Sequence, residues 1–224
     1  MKKLIGQIAL LLIVITSMSM AVRKKQRIVF FGDSITQAGV NPGGYITRIQ
    51  QSLTDKKTAD NYELIGAGIG GNKIYDLYLR MEDDVLAKKP DVVVIYVGIN
   101  DVWHKSSSGT GTDLDKFEKF YNAVIKKLKA QNIKVLLCTP SVIGELNDFS
   151  NPQDGDLNQY SKTVRNIAQK NNCQLIDLRK AFVDYEVKNN TANEAKGVLT
   201  TDRVHLNEKG NQLVADEMMK ALGL

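Results

Sequence analysis

An unbroken apolar run lies near the middle of the chain, where residues 92–97 read Val-Val-Val-Ile-Tyr-Val. A strand with one face in water alternates apolar and polar residues, whereas a strand covered on both faces does not. The run therefore predicts a buried strand of a parallel sheet. Four further short apolar runs have the same appearance, at residues 28–31, 62–65, 135–138 and 175–176 with its flanks.

Helical patterns separate these runs. Apolar residues recur at three- and four-residue steps in two segments, Ile74, Leu77, Tyr78, Met81 and Val85, and Phe117, Phe120, Tyr121, Val124 and Leu128. Three more helices are predicted, one from Pro42 through Leu53, one capped by Asp156 and running to about Lys170, and a last one capped by Asn207. This alternation predicts a three-layer α/β/α sandwich around a five-stranded parallel sheet.

The N-terminal segment is different in character. Two lysines precede an apolar stretch at residues 4–15, and small or hydroxyl-bearing residues follow it. This layout is typical of a secretory signal peptide, so we predict a signal peptide at 1–21, a single domain at 22–224 and an exported protein, periplasmic or secreted. Extended to Val22, the stretch approaches the length of a membrane span, which leaves an uncleaved anchor as the alternative.

The charge balance argues against several kinds of partner. The 224 residues include 30 Lys and Arg against 25 Asp and Glu, and removal of the predicted signal peptide lowers the net charge to +3. A balance this even gives no reason to expect a nucleic-acid partner. Contact with a membrane is expected only through the N-terminal segment, and the oligomeric state is not readable from the sequence.

The two cysteines are not expected to form a disulfide, although export would permit one. Cys138 ends the fourth run and Cys173 begins the flank of the fifth. If the two runs are neighbouring parallel strands, an offset of about four residues separates the sulfur atoms far beyond bonding distance. Both are predicted to be buried thiols.

Three of the strands predicted above end in polar, glycine-rich turns. These turns are Gly32-Asp33-Ser34, the segment 66–72 and Gly98-Ile99-Asn100-Asp101. Such residues favour turns for ordinary backbone reasons. Ligands of open parallel sheets, however, bind beyond the carboxyl ends of the strands, so these three turns together predict a site.

A nucleotide site is one interpretation of the second turn, because residues 66–71 match the pattern G-x-G-x-x-G between a strand and a helix. That fingerprint also requires an acid near the end of the next strand to bind the ribose. Asp83 and Asp84 lie in the predicted helix, and Asp91 lies at the wrong end of the strand. Nucleotide binding is therefore the minor interpretation.

Ser34 can act as a nucleophile only if a base accepts its proton, and the chain has two histidines. His104 has no evident carboxylate partner and is interpreted as a surface or substrate-lining residue. His205 follows Asp202 by three residues, close enough for the carboxylate to accept from its second ring nitrogen. Ser34, His205 and Asp202 are therefore the candidate catalytic residues.

Acyl transfer also needs hydrogen-bond donors at the carbonyl oxygen, which gains negative charge during the reaction. The candidate donors of this oxyanion hole are the backbone N–H groups of Ser34 and Gly71 and the side-chain amide of Asn100. Glycine and asparagine are common loop residues, so none of these donors is distinctive alone. Their joint position at the carboxyl edge of the sheet favours a hydrolase.

Four segments carry these residues: Gly-Asp-Ser-Ile at 32–35, Gly-Ile-Gly-Gly at 68–71, Gly-Ile-Asn-Asp at 98–101 and Asp-Arg-Val-His at 202–205. In this order they resemble the four blocks of the GDSL-type, or SGNH, hydrolases, and the resemblance extends from about Ile28 to the C-terminus. It implies a flavodoxin-like topology and a serine esterase with nucleophile Ser34, base His205 and partner Asp202. It also implies an oxyanion hole from Ser34, Gly71 and Asn100, with no metal or organic cofactor.

The sequence departs from that family at three positions. Ile35 replaces the usual leucine of the first block, and Gly66 and Gly70 stand where asparagine and serine are common. None of these changes removes the N–H of Gly71, so they bear on the rigidity of the loop rather than on the chemistry.

The family includes carbohydrate O-deacetylases, lysophospholipases and thioesterases. We expect acetyl or other short-chain esters of carbohydrates, with Asp33, Tyr45 and Trp103 as candidate substrate contacts. A lysophospholipase or thioesterase is the alternative. A carbohydrate-binding domain without catalytic activity is a remote one, because such a domain has no reason to keep all the catalytic parts together.

One long irregular segment, residues 139–155, follows the fourth predicted strand. Segments of this length in compact domains are often functional. Its acids Asp148, Asp154 and Asp156 match no calcium-binding spacing, so a solvated loop is expected.

Overall fold

The computed structural model of the protein describes residues 24–148 and 150–224. Its centre is a sheet of five parallel strands in the order β2-β1-β3-β4-β5. The strands are β1 Gln26–Gly32, β2 Tyr62–Gly68, β3 Val92–Tyr96, β4 Lys134–Cys138 and β5 Gln174–Ile176. The predicted fold class is confirmed.

Eight α-helices connect or follow these strands within the described residues. They are α1 Ser34–Gly39, α2 Tyr45–Asp55, α3 Ile74–Asp84, α4 Ile99–Ser107, α5 Leu114–Ala130, α6 Asp154–Lys170, α7 Leu178–Asn189 and α8 Glu208–Leu222. Helix α2 packs against α8 on one face of the sheet, while α3 packs against α5 and α5 against α6 on the other. The sheet is thereby covered on both faces.

Burial in the core explains why residues 92–97 do not alternate between apolar and polar side chains. All five residues of β3 are at most 2% exposed, because helices cover both of its faces. Burying one such side chain stabilises the fold by roughly 1.5–3 kcal/mol. The apolar stripe of α5 packs against the neighbouring strand β4, and its Phe117, Tyr121, Val124 and Leu128 are fully buried.

The register of the sheet places all five carboxyl ends at one level. Gly32 pairs with Gly68 on one side and with Tyr96 on the other, Tyr96 pairs with Cys138, and Cys138 pairs with Ile176. Each of these residues is the last of its strand. The five loops that leave the sheet therefore start from a common edge.

Two helix starts differ from the prediction. Helix α2 begins at Tyr45 rather than Pro42, because Gly43 adopts a φ of +79° and the N–H of Gly44 closes a turn onto the carbonyl of Asn41. Helix α6 begins at Asp154, so Asp156 lies in the first turn and is not the cap. The predicted cap of α8 is confirmed, since the side chain of Asn207 accepts the N–H of Gly210 at 3.0 Å.

Both cysteines are free thiols, as predicted. Cys138 is buried, but Cys173 is only partly buried, so the prediction of two buried thiols is wrong for Cys173. Cys138 pairs with Ile176, three residues beyond Cys173, which corresponds to an offset of about 10 Å along the strands.

The predicted signal peptide, residues 1–21, and the first two residues of the predicted domain lie outside the described residues. Both boundaries stay predictions. In the part of the chain that the structure describes, no helix has the length and apolar character needed to cross a membrane.

Candidate active site

Ser34 is the first residue of α1 and is separated from the end of β1 only by Asp33. The carboxylate of Asp33 accepts the N–H of Ile35 at 3.0 Å and caps this helix. Strand β2 passes so close to α1 that a Cβ on Gly68 would lie 2.1 Å from the backbone nitrogen of Gln37. Glycine is therefore required at position 68 for the turn that presents Ser34.

The structure brings the three candidate catalytic side chains together. Ser34 Oγ lies 2.9 Å from His205 Nε2, and His205 Nδ1 lies 2.7 Å from Asp202 Oδ2. Burial opposes ionisation of Asp202, but the hydrogen bonds from the ring and backbone of His205 and from the Val204 N–H hold its pKa below the ordinary value. An ionised Asp202 makes Nδ1 the donor, which leaves Nε2 free to accept the Ser34 proton.

The candidate oxyanion donors lie beside Ser34. A Cβ on Gly70 would lie 3.9 Å from Cβ of Ser34, and Gly71 follows it with a φ of +75°. The side-chain amide of Asn100 donates to the carbonyl of Asn72 at 3.1 Å, which places it against the same turn. Among the described residues, no hydrogen-bond acceptor occupies the N–H of Gly71 or of Ser34.

His104 lies next to this turn rather than with the catalytic side chains. Its Cε1 atom is 3.9 Å from the position of a Cβ on Gly71. Partial burial and the nearby ammonium group of Lys73 lower the pKa of His104 below its ordinary value. His104 therefore presents an uncharged ring at neutral pH, in agreement with its interpretation as a lining residue.

Arg80, on α3, forms hydrogen bonds to three of the segments that surround the site. Its guanidinium donates to the carbonyls of Gly32 at 2.7 Å and Ala67 at 3.0 Å, and to the side chain of Asn72 at 2.6 Å. One side chain thus joins the end of β1, the end of β2 and the Gly71 turn. Arg80 is not recognisable from the sequence, because a basic side chain in an amphipathic helix is typical of a solvated face.

Two of the three predicted substrate contacts occupy buried positions. Tyr45 is fully buried and its hydroxyl donates to Thr36 Oγ1 at 3.0 Å, so it lies in the core, contrary to the prediction. Asp33 is 2% exposed, and its role is the helix cap described above. Burial raises the pKa of Asp33 to about 7, against the opposing effects of the Ile35 N–H, His205 and Arg80.

Trp103, the third predicted contact, lines a cavity of about 80 Å³ beside the catalytic side chains. The cavity is lined by Trp103, Ile143, Gln153, Asp202, Arg203 and Val204. It lies next to Asp202, whose carboxylate contacts His205 Nδ1.

The loop 139–153 is solvated only in part, contrary to the expectation for the whole loop, because residues 139–145 are all buried whereas Asp148 is exposed. Glu145 is fully buried, and its carboxylate accepts three consecutive backbone N–H groups at 2.6–2.8 Å, those of Val198, Leu199 and Thr200. These residues begin the segment that carries Asp202 and His205. The loop therefore supports the segment of the candidate base, His205. Asp154, the first residue of α6, pairs with Arg179 at 2.7 Å.

Arg203, between Asp202 and His205, has a left-handed backbone with a φ of +89°. A non-glycine residue in this region is strained and persists only when its surroundings impose it. Its carbonyl accepts the N–H of Gly144 at 2.8 Å, and its N–H donates to Thr200 Oγ1 at 3.1 Å. The long loop thus holds the catalytic segment at a second point.

A second buried carboxyl lies near Glu145 and gives a pH prediction. Burial and the charge of Glu145 raise the pKa of Glu186 to about 8, against the opposing effect of Arg179. Between the ordinary pKa of 4.5 and this value, the folded protein keeps a proton that the unfolded chain releases. Stability from this group therefore falls as the pH rises.

The Glu186→Gln variant lacks this titration. We therefore expect its free energy of unfolding, relative to that of the wild type, to increase by at least about 1 kcal/mol between pH about 5 and pH about 8. Urea unfolding of both proteins at the two pH values measures the change. A stability difference that is the same at both pH values would contradict the prediction. The exposed Glu194, changed to glutamine, is the matched control.

The chain matches known proteins over most of its length. The model of the GDSL-like lipase/acylhydrolase family matches residues 30–213. The solved structure of an acetyl xylan esterase, AlAXEase, is 68% identical with a TM-score of 0.87, covering 88% of this chain and 99% of that chain.

Two curated relatives extend the comparison. An acetylxylan esterase from Geobacillus stearothermophilus is 30% identical over 219 residues, which cover 91% of this chain and 97% of the relative. The uncharacterized lipoprotein YqeF of Bacillus subtilis (strain 168) is 27% identical over 213 residues, covering 86% and 87%.

Proposed function

The chain belongs to the GDSL-like lipase/acylhydrolase family and is a serine carboxylic-ester hydrolase, and we propose that it removes acetyl groups from a carbohydrate. The observation that carries the chemistry is the chain of contacts from Ser34 Oγ through His205 to Asp202, at 2.9 and 2.7 Å. The similarity to two acetylxylan esterases supports the choice of substrate.

In the proposed reaction, Ser34 Oγ attacks the ester carbonyl while its proton passes to His205 Nε2. The tetrahedral intermediate expels the sugar oxygen, which takes the proton from His205, and an acetyl group remains on Ser34. Water then attacks this acyl-enzyme with His205 as base. Acetate leaves, and the proton returns to Ser34.

The carbonyl oxygen becomes negative in both steps, and three donors are proposed to stabilise it. They are the N–H groups of Ser34 and Gly71 and the second N–H of the Asn100 amide, whose first N–H is used by Asn72. Loss of one such donor typically lowers kcat by about 10²–10³. Because Arg80 connects the turn to both strand ends, the donors are fixed before substrate arrives.

The surroundings of the site favour a small acyl group. The neutral ring of His104 lies against the Gly71 turn and limits the space beside the oxyanion donors. The cavity beside Asp202 has a volume of only about 80 Å³ and contains polar side chains, which suits a sugar better than a fatty chain.

We also propose that the protein is exported, on the basis of the signal-like residues 1–21. Polymeric carbohydrates are extracellular substrates, so export agrees with the proposed activity.

A panel of esters tests the substrate class. We expect the highest kcat/KM for acetylated xylo-oligosaccharides and acetyl esters, and a fall of about tenfold or more for octanoyl esters, because the ring of His104 lies against the Gly71 turn beside the proposed oxyanion donors. A preference for octanoyl or longer chains would support the lysophospholipase or thioesterase alternative instead. The Ser34→Ala variant, assayed in parallel, corrects for background hydrolysis.

A further inference from the structure

Lys73 is a buried cation beside the proposed oxyanion donors. The residue is only 7% exposed, and its ammonium group donates to the carbonyl of Gly71 at 3.2 Å. The oxygen and the nitrogen of one residue lie at most about 4 Å apart, so this ammonium lies within about 7 Å of the Gly71 nitrogen. The charge is therefore close to the position where the carbonyl oxygen of the ester becomes negative.

The charge of Lys73 is not neutralised by direct contact. Across residues 24–148 and 150–224, no carboxylate oxygen lies within 4.0 Å of its ammonium group. Arg80, the other cation bound to this turn, differs, because Asp84 pairs with it at 2.7 Å. Burial raises the pKa of the nearby Asp101 to about 7, against opposing effects that include the charge of Lys73. Asp101 therefore compensates Lys73 only in part at neutral pH.

The position of Lys73 in the chain is unfavourable for a lysine. It is the N-cap of α3, where serine, threonine, aspartate and asparagine are preferred because their side chains accept backbone N–H groups. A helix N-terminus also carries a partial positive charge, which repels a cation. Burial of the ammonium group is a third unfavourable effect. A residue that breaks several local rules at once is typical of a functional site, because folding alone gives no reason for it.

We propose that Lys73 is a positioning residue of the oxyanion hole, and that its positive charge stabilises the negatively charged intermediate. Its ammonium group holds the carbonyl of Gly71, the residue whose N–H donates to the oxyanion, and its charge attracts the oxyanion without touching it. A fixed cation in a poorly solvated site acts more strongly than it would in water. This role rests on the proposed oxyanion donors, but it does not depend on which alcohol the ester carries.

Two variants remove the charge and differ in hydrogen bonding. Lys73→Met loses both the charge and the donor, whereas Lys73→Gln retains a side-chain N–H donor. In both, we expect kcat on p-nitrophenyl acetate to fall about tenfold while KM stays within about twofold, because the charge acts on the intermediate rather than on the neutral ester. The matched control is Lys162→Gln, which removes a charge from an exposed position on α6 and should keep the wild-type kcat.

Two further measurements separate this role from a purely structural one. Burial and the charge of Lys73 lower the pKa of His104, so both variants should raise that pKa, which an NMR titration of the two histidines measures. The midpoint of thermal unfolding of Lys73→Met should be no lower than that of the wild type, because an uncompensated buried charge is removed. A pKa of His104 that is unchanged in both variants, or a lower midpoint with an unchanged kcat per labelled active site, would contradict the proposal.

The outcomes distinguish failure of this role from failure of the proposed function. Asn100→Ala tests the donors themselves, and an unchanged kcat in that variant would overturn the oxyanion hole together with the role of Lys73. If Asn100→Ala is slow but either Lys73 variant keeps the wild-type kcat, the role of Lys73 is wrong and the oxyanion hole stands. If the wild type hydrolyses no sugar acetate, the proposed substrate is wrong, and the comparison on p-nitrophenyl acetate still decides the role of Lys73.

Discussion

Replacement of Ser34 by alanine is expected to lower kcat on acetyl esters by at least about 10⁴ while the fold remains intact. The change removes one oxygen atom, the one that lies 2.9 Å from His205 Nε2. Without it, no acyl-enzyme can form, and only binding and the oxyanion donors remain. Ester hydrolysis measures the rate, and circular dichroism with thermal unfolding verifies the fold.

Ser52→Ala is a matched control, because Ser52 lies on α2 away from the sheet edge and its change should leave kcat within about twofold. A fluorophosphonate probe should label the wild type and Ser52→Ala but not Ser34→Ala. Full activity in a folded Ser34→Ala protein would disprove the assignment of the nucleophile. An unlabelled and inactive wild type would instead favour the binding domain without catalytic activity.

Replacement of Glu145 by glutamine is expected to cost about 3 kcal/mol or more of unfolding free energy, because one amide oxygen cannot replace a carboxylate that accepts three N–H groups. For a chain of this size, the midpoint of thermal unfolding should fall by about 6–12 °C. In the fraction that remains folded, kcat should fall about tenfold or more, because Asp202 and His205 lose part of their support.

Denaturant unfolding and kcat per labelled active site measure the two effects separately. Glu194→Gln is the matched control, since Glu194 is an exposed acid of the neighbouring segment. An unchanged melting temperature would contradict the structural role of Glu145. An unchanged kcat per active site would contradict its role in positioning the catalytic base.

The fold and the family were both predictable from the sequence, and both are confirmed. A strand that is buried on both faces is apolar throughout, as residues 92–97 illustrate. The turns after β1, β2 and β3 are recognisable because they are rich in glycine, and at position 68 glycine is required by a close contact with α1. Ser34, Asp202 and His205 could be selected because serine, aspartate and histidine are the residue types that this chemistry uses.

Arg80, Glu145 and Tyr45 could not be assigned from the sequence, and the reason is the same for each. A charged residue on a helix or in a loop is typical of the surface, and a tyrosine after a glycine pair is typical of an open rim. What these side chains contact is decided by segments far away in the chain, such as Val198–Thr200 for Glu145. The sequence around each of these residues therefore does not indicate which partners it contacts.

The level strand ends also have a consequence for when activity appears. The edge of the sheet collects the candidate catalytic atoms from four separate stretches of chain, and Ser34 is 171 positions away from its candidate base, His205. A growing or unfolded polypeptide contains the serine long before it contains the histidine. We therefore expect hydrolysis only after the segment that carries His205 has joined the fold, and a chain that lacks this segment should be inert toward esters.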